Sequence, residues 1–238
     1  MRAQPNLASV AYLIADPTRA TMLMTLVDGQ AWPAGELAHA AGVTAQTASA
    51  HLAKLLAGGL LTVKTEGRHR YYRLAGSHVA LALEHLALIG TTEPVRRRLP
   101  DREVSHLRLA RCCYDHLAGR VGVAMTRGLQ ERGWIVAAAD KRFDVTPAGV
   151  VWFDRMGLDL GELPSSRHGM ARQCLDWTER EYHLAGPLGV RWMSLLCANG
   201  WLRRSKTSRA VQVTPKGWAG LKEQLGVDQG QLMPSPES

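Results

Sequence analysis

Residues 33–60 read PAGELAHAAGVTAQTASAHLAKLLAGGL, and the punctuation of this stretch decides the fold of the first half of the chain. Pro33 opens a short Ala-rich helix that Gly42 stops. Val43 and Thr44 follow at once, and Thr44 is a good N-cap for a second helix, Ala45 to Ala57, which the pair Gly58-Gly59 ends. Leu37, Ala38, Val43, Ala48, Leu52 and Leu55 recur at the spacing that would hold the two helices together. Against that buried face Gln46, Thr47, Ser49, Ala50, Ala53 and Lys54 point outward, with His51 on the flank. Two short helices joined by a tight turn make a helix-turn-helix, whose second helix enters the major groove of DNA. Downstream, Leu61-Thr62-Val63-Lys64-Thr65 and Arg70-Tyr71-Tyr72-Arg73-Leu74 alternate as strands around Glu66-Gly67-Arg68-His69, a hairpin with a basic tip. That hairpin is the wing of a winged helix.

Each exposed residue suggests a contact. Thr44, Gln46, Thr47, Ser49 and His51 lie where base edges and neighbouring phosphates are read, and a glutamine can bond adenine through two hydrogen bonds. Lys54 suits a phosphate. Arg68, His69 and Arg70 at the turn suit phosphate or minor-groove contact. Between residues 44 and 74 Lys54, Lys64, Arg68, Arg70 and Arg73 face Glu66 alone. The competing reading is a helix-turn-helix that touches no DNA and a merely solvated basic hairpin. Cap, turn, outward polar set and wing agree in order and spacing, which favours the DNA reading.

The whole chain has 238 residues and a formal charge of +8, compatible with a polyanion partner but not proof of one. A hydrophobic share of 46% against 21% charged excludes wholesale disorder. No apolar run has the length of a membrane span, and Met1 to Pro5 lacks the start of a secretory signal. A soluble, cytoplasmic protein without a membrane partner is expected. Cys112, Cys113, Cys174 and Cys197 do not form a disulfide framework.

Asp16-Pro17-Thr18-Arg19, Glu36-Leu37-Ala38, Ser49-Ala50-His51-Leu52, the stretch from Leu55 to Leu61 and Glu66-Gly67-Arg68-His69-Arg70-Tyr71-Tyr72-Arg73-Leu74 together resemble the ArsR/SmtB family of bacterial winged-helix regulators over about residues 5–90. The resemblance implies a homodimer, formed by the first and last helices of the domain, that binds an inverted-repeat operator in double-stranded DNA and usually represses. The arsenic- and cadmium-sensing members carry Cys-x-Cys after the Glu-Leu. Here Ala38-His39-Ala40 follows Glu36-Leu37, so that thiolate site is absent. Zinc and nickel sensors use acidic and histidine ligands on the last helix; His78 and His85 lie there, seven apart, without the matching aspartate pattern.

The second half contains a repeat. His116-Leu117-Ala118-Gly119-Arg120-Val121-Gly122-Val123 matches His183-Leu184-Ala185-Gly186-Pro187-Leu188-Gly189-Val190 at an offset of 67, and Gly133-Trp134 matches Gly200-Trp201. Val145-Thr146-Pro147-Ala148-Gly149 matches Val213-Thr214-Pro215-Lys216-Gly217 at an offset of 68. Each unit reads as helix, Gly-Trp, strand, turn, strand, Thr-Pro-x-Gly, helix. Cys113 and His116, three apart, are expected on one side of a helix with Asp115 adjacent; Cys174, Asp176 and His183 accompany the second unit. Cys113, His116, Cys174 and His183 would suit zinc or another thiophilic metal ion, or a reactive thiol, and equally core-capping positions. Trp177 and Trp192, which the repeat does not explain, are candidates to line an effector pocket; Arg111, Arg172 and Arg180 could meet an anionic ligand or only local acids.

The expected fold is mainly α with short β-hairpins, an α+β class. Residues 1–92 form a winged helix-turn-helix for DNA binding and dimerisation, 103–226 a two-repeat sensor domain of winged-helix-like half repeats, and 227–238 a frayed tail. A linker is expected at about residues 90–102. The function read from these features is a homodimeric, sequence-specific transcriptional regulator, a repressor whose operator binding answers to a small-molecule or metal effector. The alternative keeps DNA binding and makes the second half a dimerisation or protein-interaction scaffold. No nucleophile elbow, phosphate loop or dinucleotide fingerprint appears, so no enzyme is expected.

Overall fold

The computed structural model describes residues 6–66, 69–90, 106–164 and 169–233. Two compact units divide the chain, within residues 1–101 and 102–238. The linker expected at 90–102 lies, from residue 91 onward, outside the described residues.

The first unit begins with α1 (Leu7–Ile14) and α2 (Pro17–Thr25). Asp16 caps α2 by accepting from the Arg19 N–H at 2.9 Å, and Pro17 takes the first helical position, where its missing N–H costs nothing. Arg19 is buried, and its guanidinium donates to the carbonyls of Leu13 and Tyr12, both at 2.7 Å. These are carbonyls that the end of α1 leaves unpaired. The sequence Asp-Pro-Thr-Arg thus starts one helix and finishes another.

Helix α3 (Ala34–Ala41) stops at Gly42 in the left-handed region (φ 66°), with the Val43 N–H returning to the Ala38 carbonyl at 3.0 Å. Helix α4 (Ala45–Ala57) follows, its Thr44 side chain accepting from the Thr47 N–H. Strands β2 (Leu61–Glu66) and β3 (His69–Leu74) pair from Leu61–Leu74 to Glu66–His69. A short β1 (Trp32–Pro33) adds to the other side of β3, a third strand unsignalled by the sequence. Met22, Leu23, Leu26, Leu37, Ala48, Leu52, Leu55 and Tyr72 are buried, and α5 (Ser77–Ile89) buries Val79, Ala80 and Leu83.

The second unit opens each repeat with a hairpin. In the first repeat β4 (Arg111–Cys113) and β5 (His116–Ala118) lead into α6 (Gly119–Glu131), then β6 (Ile135–Ala138), β7 (Arg142–Val145) and α7 (Pro147–Arg155). In the second, β8 (Arg172–Leu175) and β9 (Tyr182–Ala185) lead into α8 (Gly186–Ala198), then β10 (Leu202–Arg204), β11 (Val211–Val213) and α9 (Pro215–Leu225). The expectation that each unit starts as a helix at His116 or His183 is corrected. Both histidines lie on strands, and each helix begins three residues later at a glycine with positive φ, Gly119 (82°) and Gly186 (77°).

The hairpins are exchanged between repeats. Strand β8 pairs with β7, giving the sheet order β6-β7-β8-β9. On the other side, the Cys112 N–H donates to the Arg209 carbonyl at 2.8 Å, and the Val211 N–H to the Ala110 carbonyl at 3.0 Å. Each repeat therefore lays its opening hairpin along the later hairpin of the other, in a pseudo-two-fold arrangement. The core is built from matched positions: Leu117 with Leu184, Val121 with Leu188, Met125 with Trp192, Leu129 with Leu196 and Ile135 with Leu202, all buried.

The stretch from residue 227, expected to fray, is folded as far as residue 233. Val227 is buried, Asp228 caps α10 (Gln229–Leu232) and meets Lys222 at 2.7 Å, and Arg120 donates to the Leu232 carbonyl at 3.0 Å. A hydrophobic anchor and two polar ties hold this segment despite its Gln/Gly-rich composition. Residues 234–238 lie outside the described residues.

Candidate nucleic-acid interface and candidate metal centre

Helix α4 divides by exposure as its spacing requires. Ala48, Leu52 and Leu55 are buried, while Gln46, Thr47, Ser49, Ala50, Ala53 and Lys54 are exposed. The Thr44 and Thr47 hydroxyls bond to each other at 2.9 Å, which orders the first turn beside Gln46. On the wing, His69 and Arg70 are exposed, and the Arg70 guanidinium lies 6.0 Å from the centre of the Tyr72 ring. Arg68 falls outside the described residues. Lys64 is paired with Glu66 at 2.6 Å.

His51 departs from the outward set. Its side chain is 17% exposed and turned toward the start of α2, with Nδ1 3.6 Å from Asp16 Oδ1. The ring lies on the flank of α4 beside the start of α2, without a hydrogen bond from Nδ1.

Within the second unit, Cys113, His116, Cys174 and His183 bring one ligand atom each to within 4.8 Å of all the others. The expected placement of Cys113 and His116 on one helix is corrected, because they are cross-strand partners in the β4–β5 hairpin. Cys174 and His183 are the corresponding partners in β8–β9. The imidazoles meet with their Nε2 atoms 3.1 Å apart. Behind them, Asp115 Oδ1 lies 2.9 Å from His116 Nδ1, and Asp176 Oδ2 lies 3.7 Å from His183 Nδ1.

Cys113, His116 and His183 are buried and Cys174 is partly so. The hydrogen bond with Cys174, together with burial, pushes the Cys113 thiol up to about 11. Burial opposes a charge on His116, but the Cys113 sulfur and the Asp115 carboxylate outweigh it and raise its pKa. Asp176 is buried too, yet Arg111 beside it and the N–H of Gly119 hold its carboxyl well below the usual range.

The tryptophan expectations separate. Trp192 is core, in ring contact with Trp152 and Phe153, and it occupies the position that Met125 fills in the first repeat. The space beside it, about 10 Å3, is no more than one water needs; Trp192 is corrected from a pocket residue to packing. Trp177 lies in the β8–β9 connection, half-buried, under the Arg111 guanidinium at 5.3 Å. A groove of about 420 Å3 opens elsewhere in this unit, lined by Leu109, Arg203, Arg204, Trp218 and Met233 among others. His78 and His85 are exposed on α5 and belong to no metal-ligand cluster among the described residues. Among those residues no helix is long and apolar enough to cross a membrane.

Comparison with known proteins adds three kinds of likeness. A family model described as a helix-turn-helix domain matches residues 14–64. The uncharacterized HTH-type transcriptional regulator YdfF of Bacillus subtilis is 41% identical over 223 residues, spanning 94% of this chain and 98% of that protein. The HTH-type transcriptional regulator CmtR of Mycobacterium tuberculosis is 42% identical over 83 residues, covering 35% of this chain and 70% of that protein. Its solved structure, titled as a cadmium metal-sensor, aligns with 38% identity over 39% of this chain and all of that one, with a TM-score of 0.31. The winged helix-turn-helix domain Mb0332 from Mycobacterium bovis, titled as homodimeric and a possible ArsR-family regulator, aligns with 30% identity over 37% of this chain and 89% of that one, with a TM-score of 0.33.

Proposed function

Since the chain belongs to the ArsR family of HTH-type transcriptional regulators, we propose that it acts as a homodimeric, sequence-specific repressor whose second unit tunes operator binding. The observation that carries the DNA reading is α4. A capped helix exposes Gln46, Thr47, Ser49 and Lys54 from one face while its opposite face is sealed by Ala48, Leu52 and Leu55. Gln46 in the first turn reads base edges, Lys54 meets phosphate, and His69 and Arg70 on the wing contact the backbone or the minor groove.

Exposed apolar side chains on α1 and α5 support the dimer. Leu7 and Tyr12 are 78% and 67% exposed, Leu86 and Ile89 47% and 82%, an apolar surface that a second copy would cover. A two-fold dimer presents two copies of α4 and selects an inverted-repeat operator. Such a protein works in the cytoplasm on chromosomal DNA and has no catalytic step.

The effector belongs to the second unit. A thiophilic metal ion is the class favoured by the gathered cysteines and histidines. Selection of bound fragments from a genomic library, followed by footprinting, tests the DNA reading. A protected inverted repeat upholds it; equal affinity for all fragments, including random DNA, overturns it.

A further inference from the structure

We propose that Cys113, His116, Cys174 and His183 bind a single tetrahedral thiophilic divalent cation, Zn2+ in the first place, on the pseudo-two-fold axis of the second unit. The inference deepens the effector reading above and does not require the DNA reading to hold.

The donor set is the first argument. Two sulfurs and two imidazole nitrogens are the tetrahedral ligand set of closed zinc sites, and four protein ligands leave no open position for substrate. Bond lengths of about 2.3 Å to sulfur and about 2.0–2.1 Å to nitrogen put tetrahedral ligands about 3.3–3.8 Å apart. Here the four atoms lie within 4.8 Å of one another, so side-chain adjustments of about an ångström complete the shell.

The second argument is what stands behind the ligands. A metal-bound histidine usually donates its other N–H to a carboxylate, which sets the tautomer and aims the ring. Asp115 does this for His116 at 2.9 Å, and Asp176 faces His183 Nδ1 at 3.7 Å. Asp176 is in turn held by Arg111 at 2.8 Å and by the Gly119 N–H at 2.7 Å. Both Nε2 atoms are left pointing at each other and at the sulfurs.

The third argument is symmetry. Each repeat gives one cysteine and one histidine from the same rung of its opening hairpin, Cys113 with His116 and Cys174 with His183. A merely buried thiol in one hairpin would have no reason to recur at the matching rung of the other. Binding is balanced as M2+ plus two thiols and two neutral imidazoles giving a neutral M(S)2(N)2 centre and two released protons. The ion joins two hairpins from different repeats and so stabilises their exchange.

The test uses the full-length protein, freed of metal with a chelator under reducing conditions and titrated with Co2+ and then Zn2+. One Co2+ per chain, with the intense ligand-field bands of a tetrahedral ion and thiolate-to-cobalt charge transfer, displaced by Zn2+, is expected. Cys174→Ala and His183→Gln should lower the metal-to-chain ratio from one to near zero while far-ultraviolet circular dichroism remains that of the folded protein. Should either variant unfold, thiol alkylation of the unaltered chain decides: Zn2+ must protect Cys174, the partly exposed ligand. Weak octahedral bands, unchanged loading of folded variants, or alkylation of Cys174 indifferent to Zn2+ would overturn the proposal. Operator affinity measured on the same samples is a separate readout, so an affinity that is the same for metal-free and loaded protein counts against the regulatory reading and not against the site.

Discussion

Arg111 and Asp176 form an ion pair at 2.8 Å with both side chains at most 2% exposed, joining the opening strand of one repeat to the hairpin connection of the other. Asp176 also accepts the N–H groups of Gly119, Thr178 and Glu179, so its two oxygens organise a helix start and a turn. Removing one partner of such a pair leaves an uncompensated buried charge, a loss of about 3–5 kcal/mol. Arg111→Met should therefore destabilise the second unit by that amount in urea denaturation. A loss below about 1 kcal/mol would mean that the backbone donors alone satisfy Asp176.

The repeated His-Leu-Ala-Gly-x-x-Gly motif has a packing cause with its own consequence. A Cβ on Gly189 would lie 2.5 Å from the Leu184 carbonyl oxygen and 3.5 Å from the His116 Cβ, and one on Gly122 would lie 2.6 Å from the Leu117 oxygen and 3.7 Å from the His183 Cβ. Each glycine lets its helix press on the hairpin that carries a histidine. Gly189→Ala should cost about 1–3 kcal/mol through backbone displacement and should lower Co2+ affinity although no ligand is touched. An unchanged melting temperature would show that the hairpin gives way freely.

On DNA, two substitutions should separate reading from holding. Arg70→Ala removes a phosphate contact, so binding should weaken on every sequence and the slope of log affinity against log salt should flatten by about one. Gln46→Ala should relax sequence preference by about 1–3 kcal/mol at one base pair while leaving affinity for random DNA unchanged. Fluorescence anisotropy across a salt series reads both. An unchanged slope for Arg70→Ala removes the wing from the interface, and equal losses on operator and random DNA remove Gln46 from base reading.

The winged helix was legible because its signals are local: Thr44 caps α4, Gly42 turns the chain, and the apolar positions fall at helical spacing. The closeness of His51 to Asp16 was not legible, because Asp16 belongs to the start of another helix. In the second half the helical-looking run after His116 hid a strand, since the helix starts only where Gly119 supplies a positive φ. The symmetry of the cysteines was hidden for a related reason. The histidines recur at an offset of 67 but Cys113 and Cys174 at 61, because the β8–β9 connection is longer and carries Asp176. Trp192 looked unexplained because its counterpart in the first repeat is Met125, similar in burial but not in chemistry.

Acid should act on the first unit through Asp16. The Arg19 N–H, its largest influence, lowers the pKa of this carboxyl, and the Arg19 guanidinium at 3.7 Å and His51 at 3.6 Å face the same oxygens. A carboxyl lowered in the folded state adds stability that is present at neutral pH and fades as the pH falls through its folded value. Asp16→Ala should thus cost about 1 kcal/mol at pH 7, the usual worth of an N-cap, and progressively less in acid. A difference between the two proteins that stays constant from pH 7 to pH 2 would show that the carboxylate charge plays no part in the cap.

The dimer surface can be tested without any DNA. Ile89 is 82% exposed at the end of α5 and Leu86, one turn earlier, is 47% exposed; on α1 none of the eight residues is buried. An isolated helix of eight residues gains too little from its own hydrogen bonds to persist in water, so α1 draws stability from Arg19 at its end and from whatever covers Leu7 and Tyr12. A charge placed on α5 should then have two effects at once. Ile89→Glu combined with Leu86→Arg should convert the dimer to a monomer in sedimentation equilibrium, and should raise amide hydrogen exchange along α1. Retention of the dimer with unchanged protection of α1 would place the two-fold contact on another surface. Monomerisation without a change in α1 would mean that Arg19 suffices to hold that helix.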